Sequence, residues 1–383
     1  MSKHYILMHK DIPVLTVSLT DRNKIIKINE ILSSEHTPLN MHSGESPEAA
    51  LSEFMKHRAI PNVRQNLSKI LAAYEASDSL ELSIKSYQLS LSDHYWIKPT
   101  DSSITWDEVN FFTNPFIDTP VFITEQEHID ANLITPNSSI NGSLRQMWIK
   151  EQDDTILLKA GKTLLLEPFN EVFISQLLNA TPINHVRYDL RQLDNGEYVS
   201  ACNIFTTESL EFVPAWYVAG TLNPKENKYA ALVNRCQSLD IPNIQHDLDT
   251  MIAIDYLTMN DDRHWGNFGF LRDSTTLEFK GMVPLFDNGN TLWYDQYKIN
   301  ENKPSHAYEA QPFTTTHDKQ IKYIQSDLSH INIDIISTIA PTLMKEIYPK
   351  NDIVTPERLE IMERLFMRRV RGLAREIDKQ REI

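Results

Sequence analysis

Asp262, His264 and Asn267 share one short polar stretch, NDDRHWGNFGFL, and Asp287 follows twenty residues after Asn267 in PLFDNG. An aspartate beside an acceptor hydroxyl can take its proton. A following amide and a second carboxylate are hard oxygen donors suited to magnesium. The arrangement Asp-x-x-x-x-Asn, then Asp-x-Gly, therefore has the parts for metal-assisted phosphoryl transfer. Asp262 is assigned as the base, with Asn267 and Asp287 as the metal ligands. Asp261 adjoins the base, and the Asp-x-His-x-x-Asn register selects Asp262 over it. His264 is expected to brace the turn by a hydrogen bond rather than ligate metal. Polar turns rich in Asp, Asn and Gly are common without any chemistry, so the upstream elements must decide.

Those elements come in a fixed order. Residues 139–161, SINGSLRQMWIKEQDDTILLKAG, predict a strand, a turn at Gln152–Asp154 and a second strand that delivers Lys159 beside a glycine. Such a lysine would neutralise phosphate charge, and the preceding loop, with Ser139, Gly142 and Ser143, would cover the phosphates. EPFNEVFISQLL at 167–178 predicts a helix opened by Pro168. Glu171 on that helix is the expected ion-pair partner of the lysine, and Glu167 is left to the helix dipole. The extended segment Glu197–Phe205, with Asn203 and Phe205, stands where a hinge strand would meet adenine.

The matching residues are SSINGSLRQMWIK with Lys159, EPFNEV, NDDRHWGNFGFL and PLFDNG, and by these the chain resembles HipA-like serine/threonine kinases. The resemblance covers about 126–383. The segment LSLSDHYWIKPTDSSITWDEVNFFTNPF at 89–116 resembles the region leading into the kinase core in orphan members from Gram-positive bacteria. It implies an α+β, protein-kinase-like fold with a strand-rich N-lobe, a helical C-lobe, and ATP with magnesium between them, preceded by a further α+β domain. It also implies a protein substrate with a Ser or Thr acceptor, and a loop serine (Ser138, Ser139 or Ser143) that autophosphorylates and ejects the phosphate loop. A single glycine, Gly142, stands in that loop where protein kinases in general use three. No antitoxin partner or operator-binding module is evident in the first 125 residues, which leaves toxin, signalling and defence roles open. The competing readings are a nucleotide-binding pseudokinase acting as an interaction module and a metal-dependent phosphohydrolase.

At 383 residues, the chain divides by pattern into 1–125, 126–205 and 206–383. The first block is expected to hold strands at Tyr5–Met8 and Val14–Val17 and helices near 46–58 and 61–75, the second with Val63, Leu67, Ile70, Leu71 and Tyr74 on one face. Thr355 and Pro356 predict a helix start, continued by Leu359, Met362, Phe366, Val370, Leu373 and Ile377. Trp106, Phe111, Phe112 and Phe116 read as core. His246, Asp247 and Asp249 read as a capping cluster before a helix at Met251–Leu257. Lys56, His57, Arg58 and Arg64 read as a solvated basic face, and Arg364, Arg368, Arg369 and Arg371 as structural or surface charges. A net charge of −15 argues against a general nucleic-acid or anionic-membrane binder. Cys202 and Cys236 lack ligand spacing and read as reduced core thiols. The absence of a long apolar run makes the cytoplasm the expected location.

Overall fold

In a computed structural model, residues 2–42, 46–116, 134–223 and 225–381 are described. The expected boundary at 125/126 lies outside them. The backbone divides into two compact units: 1–159, 206–213 and 272–278 in one, and 160–205, 214–271 and 279–383 in the other.

The first unit is built on the antiparallel strands β1 (Lys3–His9), β2 (Ile12–Leu19), β3 (Ile25–Ile31) and β4 (Tyr95–Pro99), in the order β3-β2-β1-β4. Leu7 pairs with Leu15 on one side and Ile97 on the other, and all three are buried. Helices α1 (Pro47–His57), α2 (Leu67–Ala73), α3 (Ser79–Lys85) and the short α4 (Trp106–Val109) complete this part. Ser46 caps α1 by accepting from the Ala49 amide, with Pro47 at the first helical position. The second predicted helix is shorter than 61–75. Asn66 adopts the left-handed conformation at its entrance, and Val63 is 73% exposed rather than on a buried face. The strands β5 (Gln146–Glu151) and β6 (Asp154–Ala160) form an antiparallel hairpin, with Gln152 at φ 56° in the turn. Trp106, Phe111 and Phe116 are buried in this unit.

The expected basic face is solvated at Lys56 and partly at His57, but not at its two arginines. Arg58 is buried, ion-paired with Asp93, and donates to the Gln88 and Tyr95 carbonyls. Arg64 is also buried and donates to the Ile140 carbonyl at 2.7 Å. Both guanidiniums satisfy loop carbonyls that burial would otherwise leave unpaired.

In the second unit, α5 (Glu167–Leu178) precedes the antiparallel hairpin of β7 (Tyr188–Gln192) and β8 (Tyr198–Asn203). The chain continues through β9 (Leu210–Pro214), α6 (Ala215–Ala219), α7 (Lys228–Ser238), α8 (Ile244–Thr258), β10 (Gly269–Asp273), β11 (Phe279–Met282), α9 (His317–Gln320), α10 (Ile333–Ile347) and α11 (Pro356–Arg381), with parts of β9 and β10 in the first unit. The long helix α11 packs on α8 and α10, and α10 packs on α5. Met362, Phe366, Val370, Leu373 and Ile377 are its buried stripe. Helix α8 starts seven residues before the predicted Met251. Asp247 lies in its first turn, whereas buried Asp249 sits inside it and accepts from the Gln325 and Ser326 amides. Arg369 is buried over the Tyr256 ring, while Arg364 is exposed and paired with Glu301. Both cysteines are free and buried, and burial pushes the Cys236 thiol up to about 12. No described helix is long and apolar enough to cross a membrane.

Candidate active site

The second unit brings Glu171, Asp262, His264, Asn267 and Asp287 into one hydrogen-bonded assembly. Helix α8 ends at Thr258, and Met259 after it takes a left-handed conformation (φ 56°) and turns the chain sharply into NDDRHWGN. Asn260 accepts from the Asp262 amide at 3.0 Å. The Asn267 side-chain amide donates to the Asp262 carbonyl at 2.9 Å, which commits one of its hydrogens and leaves Oδ1 as its acceptor atom. His264 Nδ1 accepts from the Gly266 amide at 3.0 Å, so the ring braces the turn. Asp287 has φ 57°, a conformation costly for a non-glycine residue and held here by its surroundings.

Arg263, a residue the sequence reading passed over, joins the two segments. Fully buried, it reaches both carboxylate oxygens of Asp255, the carbonyls of Asn267 (2.9 Å) and Phe286 (2.6 Å), and Asn288 Oδ1 (2.7 Å). Burial disfavours its charge, yet the Asp255 carboxylate outweighs that and holds the guanidinium above its ordinary value. A fully satisfied buried ion pair is rigid, because leaving either partner alone is expensive.

Helix α5 grips the same loop. Glu171 Oε2 accepts from the Asn288 amide at 2.9 Å. Asn170, also missed, donates to the carbonyls of Gly289 (3.0 Å) and Thr291 (2.7 Å) and accepts from the Tyr348 hydroxyl (2.8 Å). Glu167 lies in the first turn of α5, the place the helix-dipole reading gives it. It is buried and accepts from the Lys162 amide at 3.2 Å, and a Cβ on Gly289 would come within 3.1 Å of its own Cβ.

Burial first, and then the charge of Asp287, raise the Asp262 carboxyl above its ordinary value. His264 and a hydrogen bond from Asn290, Nδ2 to Oδ2 at 2.7 Å, act in the opposite sense. Partial burial and the charges of Asp262, Asp295 and Glu309 push Asp261 up to about 7, although its side chain keeps solvent exposure. It lines a cavity of about 200 Å³ with Tyr294, Asp295, Tyr308 and Glu309. Asn203 is exposed at the end of β8, and the Phe205 ring lies 5.4 Å from that of Phe286.

The remaining sequence-predicted residues belong to the first unit. Lys159 is buried on β6. Gly142 has φ 106° and Ser143 is half-buried. Ser138 and Ser139 are buried, with hydroxyls donating to the Thr135 and Leu89 carbonyls, both at 2.8 Å.

No protein-family model matches the chain. Its sequence is 30% identical over 134 residues to serine/threonine-protein kinase CtkA of Helicobacter pylori, a stretch covering 33% of this chain and 40% of that protein. The match thus spans less than half of the relative. Among solved structures, HipA of Shewanella oneidensis MR-1, in a toxin–antitoxin complex of HipA, HipB and operator DNA, aligns over 99% of each chain with a TM-score of 0.57 and 12% identity. The proinflammatory kinase CtkA of H. pylori aligns over 62% of this chain and 94% of its own, with a TM-score of 0.46 and 16% identity. The full-length match shows that this chain has the α+β, protein-kinase-like fold of HipA, and its sequence is related over a third of its length to a serine/threonine kinase.

Proposed function

We propose that the protein is an ATP- and magnesium-dependent serine/threonine protein kinase. One observation carries this reading. Asp262, Asn267 and Asp287, separated in sequence, are joined by Arg263 and by α5 into a single assembly of one base and two hard-oxygen donors. The charge of Asp287 raises the cost of ionising Asp262, and a divalent cation beside them would relieve that repulsion. Asn267 Oδ1 and the Asp287 carboxylate would hold magnesium, which when bound neutralises charge developing on the phosphates. Asp262 orients the acceptor hydroxyl and receives its proton as the acceptor oxygen forms its bond to phosphorus and the bond to ADP breaks. Lys159 is assigned the phosphate-neutralising role from its place on β6, with Glu171 as its partner. Asn203 and Phe205 are assigned to adenine.

The same reading includes regulation through the phosphate loop. Ser138 and Ser139 are buried donors, so Ser143 is the hydroxyl best suited to modification. A phosphate there adds roughly −1.5 to −2 charge beside a triphosphate and would drive the loop outward. An antitoxin-like partner is a further part of this reading, since HipA is found in complex with HipB.

The test is incubation of the purified chain with magnesium and γ-labelled ATP. Label should appear on protein, and Asp262→Asn should lose about 10²–10⁴-fold in turnover while retaining ATP binding. Free phosphate without protein labelling would replace this reading with a phosphohydrolase. Binding without turnover would leave a nucleotide-binding interaction module.

A further inference from the structure

The first unit holds a cluster that includes none of the residues assigned to phosphoryl transfer. His9 ends β1, His94 immediately precedes β4, and Glu211 lies on β9, all fully buried. Their ligating atoms lie within 4.8 Å of one another. Glu211 Oε2 is 3.1 Å from His9 Nε2 and 3.4 Å from His94 Nδ1. Donors bound tetrahedrally at about 2.0–2.2 Å stand roughly 3.3–3.6 Å apart, so both separations lie close to the edges of such a polyhedron.

The far side of each group points the same way. His94 Nε2 is 3.0 Å from the Thr207 carbonyl, which can only accept. Nε2 therefore carries the proton, and a neutral ring turns the lone pair of Nδ1 toward a carboxylate oxygen. Two electron-rich atoms face each other there, and a cation between them removes the conflict. His9 Nδ1 lies 2.7 Å from His36 Nδ1, a pairing in which His9 can donate its hydrogen and leave Nε2 free to coordinate. Arg272 Nε donates to Glu211 Oε1 at 2.7 Å, which reserves Oε2 for the cluster. Oriented imidazoles and a tethered carboxylate are the outer shell that metal ligands require.

We propose that His9 Nε2, His94 Nδ1 and Glu211 Oε2 form a zinc-binding site that leaves the fourth tetrahedral position to a further donor. Two imidazoles and a carboxylate suit zinc, whereas magnesium and calcium favour all-oxygen sites. The guanidinium of Arg272 lowers the affinity, so the ion is expected to be removable by chelator.

The experiment uses the untagged full chain, stripped with chelator and titrated with Co2+ in excess Mg2+, which occupies hard-oxygen sites. The visible absorption of tetrahedral cobalt should saturate near about one ion per chain and be quenched by Zn2+. Zinc should also raise the melting temperature of the stripped protein. His94→Gln and Glu211→Gln should each abolish the cobalt spectrum. Should either variant misfold, the wild-type spectrum and melting shift still decide. Folded, stripped wild type with neither cobalt absorption nor a zinc-dependent melting shift would overturn the site. So would a cobalt spectrum unchanged in both folded variants.

Discussion

Asp262 is a carboxylate set between opposing influences, and its chemistry should follow their balance. Burial and Asp287 raise its pKa, while the Asn290 amide stabilises the ionised form. A base must be ionised to accept a proton, so activity should rise with pH through this group's titration. Removing the donor in Asn290→Ala should move that acid limb to higher pH, with a roughly tenfold loss at pH values below it. A pH–rate profile superimposable on wild type would remove Asn290 from the role of positioning residue. Asp261 supports a prediction about stability. Its carboxyl is pushed from an ordinary 3.8 up to about 7, so between these values the folded chain holds a proton that the unfolded chain has released. Stability then falls as pH rises through that window, and the loss is complete above it. Asp261→Asn should therefore melt higher than wild type at pH 8 and equally at pH values below about 3.8. A melting difference independent of pH would sink this account.

Helix α5 supports the 287–291 loop through side chains buried against that loop's backbone. Asn170→Ala would leave the Gly289 and Thr291 carbonyls and the Tyr348 hydroxyl without their partner, costing about 1–3 kcal/mol. Chemical denaturation should show that loss, and it should be accompanied by weaker magnesium-dependent ATP binding, since the same loop presents Asp287. The proximity of Asp262, His264 and Asn267 was legible because they share one local turn, where spacing alone brings them together. The helix of EPFNEV and the stripe of α11 were legible from periodicity and a well-placed proline. Asn170 was not, because its partners lie 119 and 121 residues away and are backbone carbonyls that leave no trace in residue type. Arg58, Arg64 and Arg263 were misjudged or missed for the same reason. A guanidinium turned inward onto carbonyls looks in sequence like one turned to water. Asp249 was placed before its helix because Asn243 starts α8 in a left-handed conformation with no side-chain cap for a pattern to detect.

At the scale of the molecule, the first unit is assembled from three separate stretches of chain. Residues 1–159 supply the sheet and its helices, but Glu211 and Arg272, which satisfy His9 and the Tyr95 hydroxyl, come from the two later stretches. A fragment ending at Lys159 is therefore expected to keep secondary structure while losing fixed packing, with flattened near-ultraviolet circular dichroism and binding of hydrophobic dye. A fragment with native-like near-ultraviolet signal would show that the later stretches are accessory. The same discontinuity sets a timetable for birth on the ribosome. Arg272 is translated just over a hundred residues after Lys159, an interval of roughly 5–25 s at ordinary elongation rates. Throughout it, a sheet that already bears Ile26, Ile31 and Leu32 exposed on or beside its edge strand waits for its last buried charges. Nascent chains of this protein should accordingly depend on holding chaperones until residue 278 has left the exit tunnel, and codon choice between 160 and 278 becomes a determinant of yield.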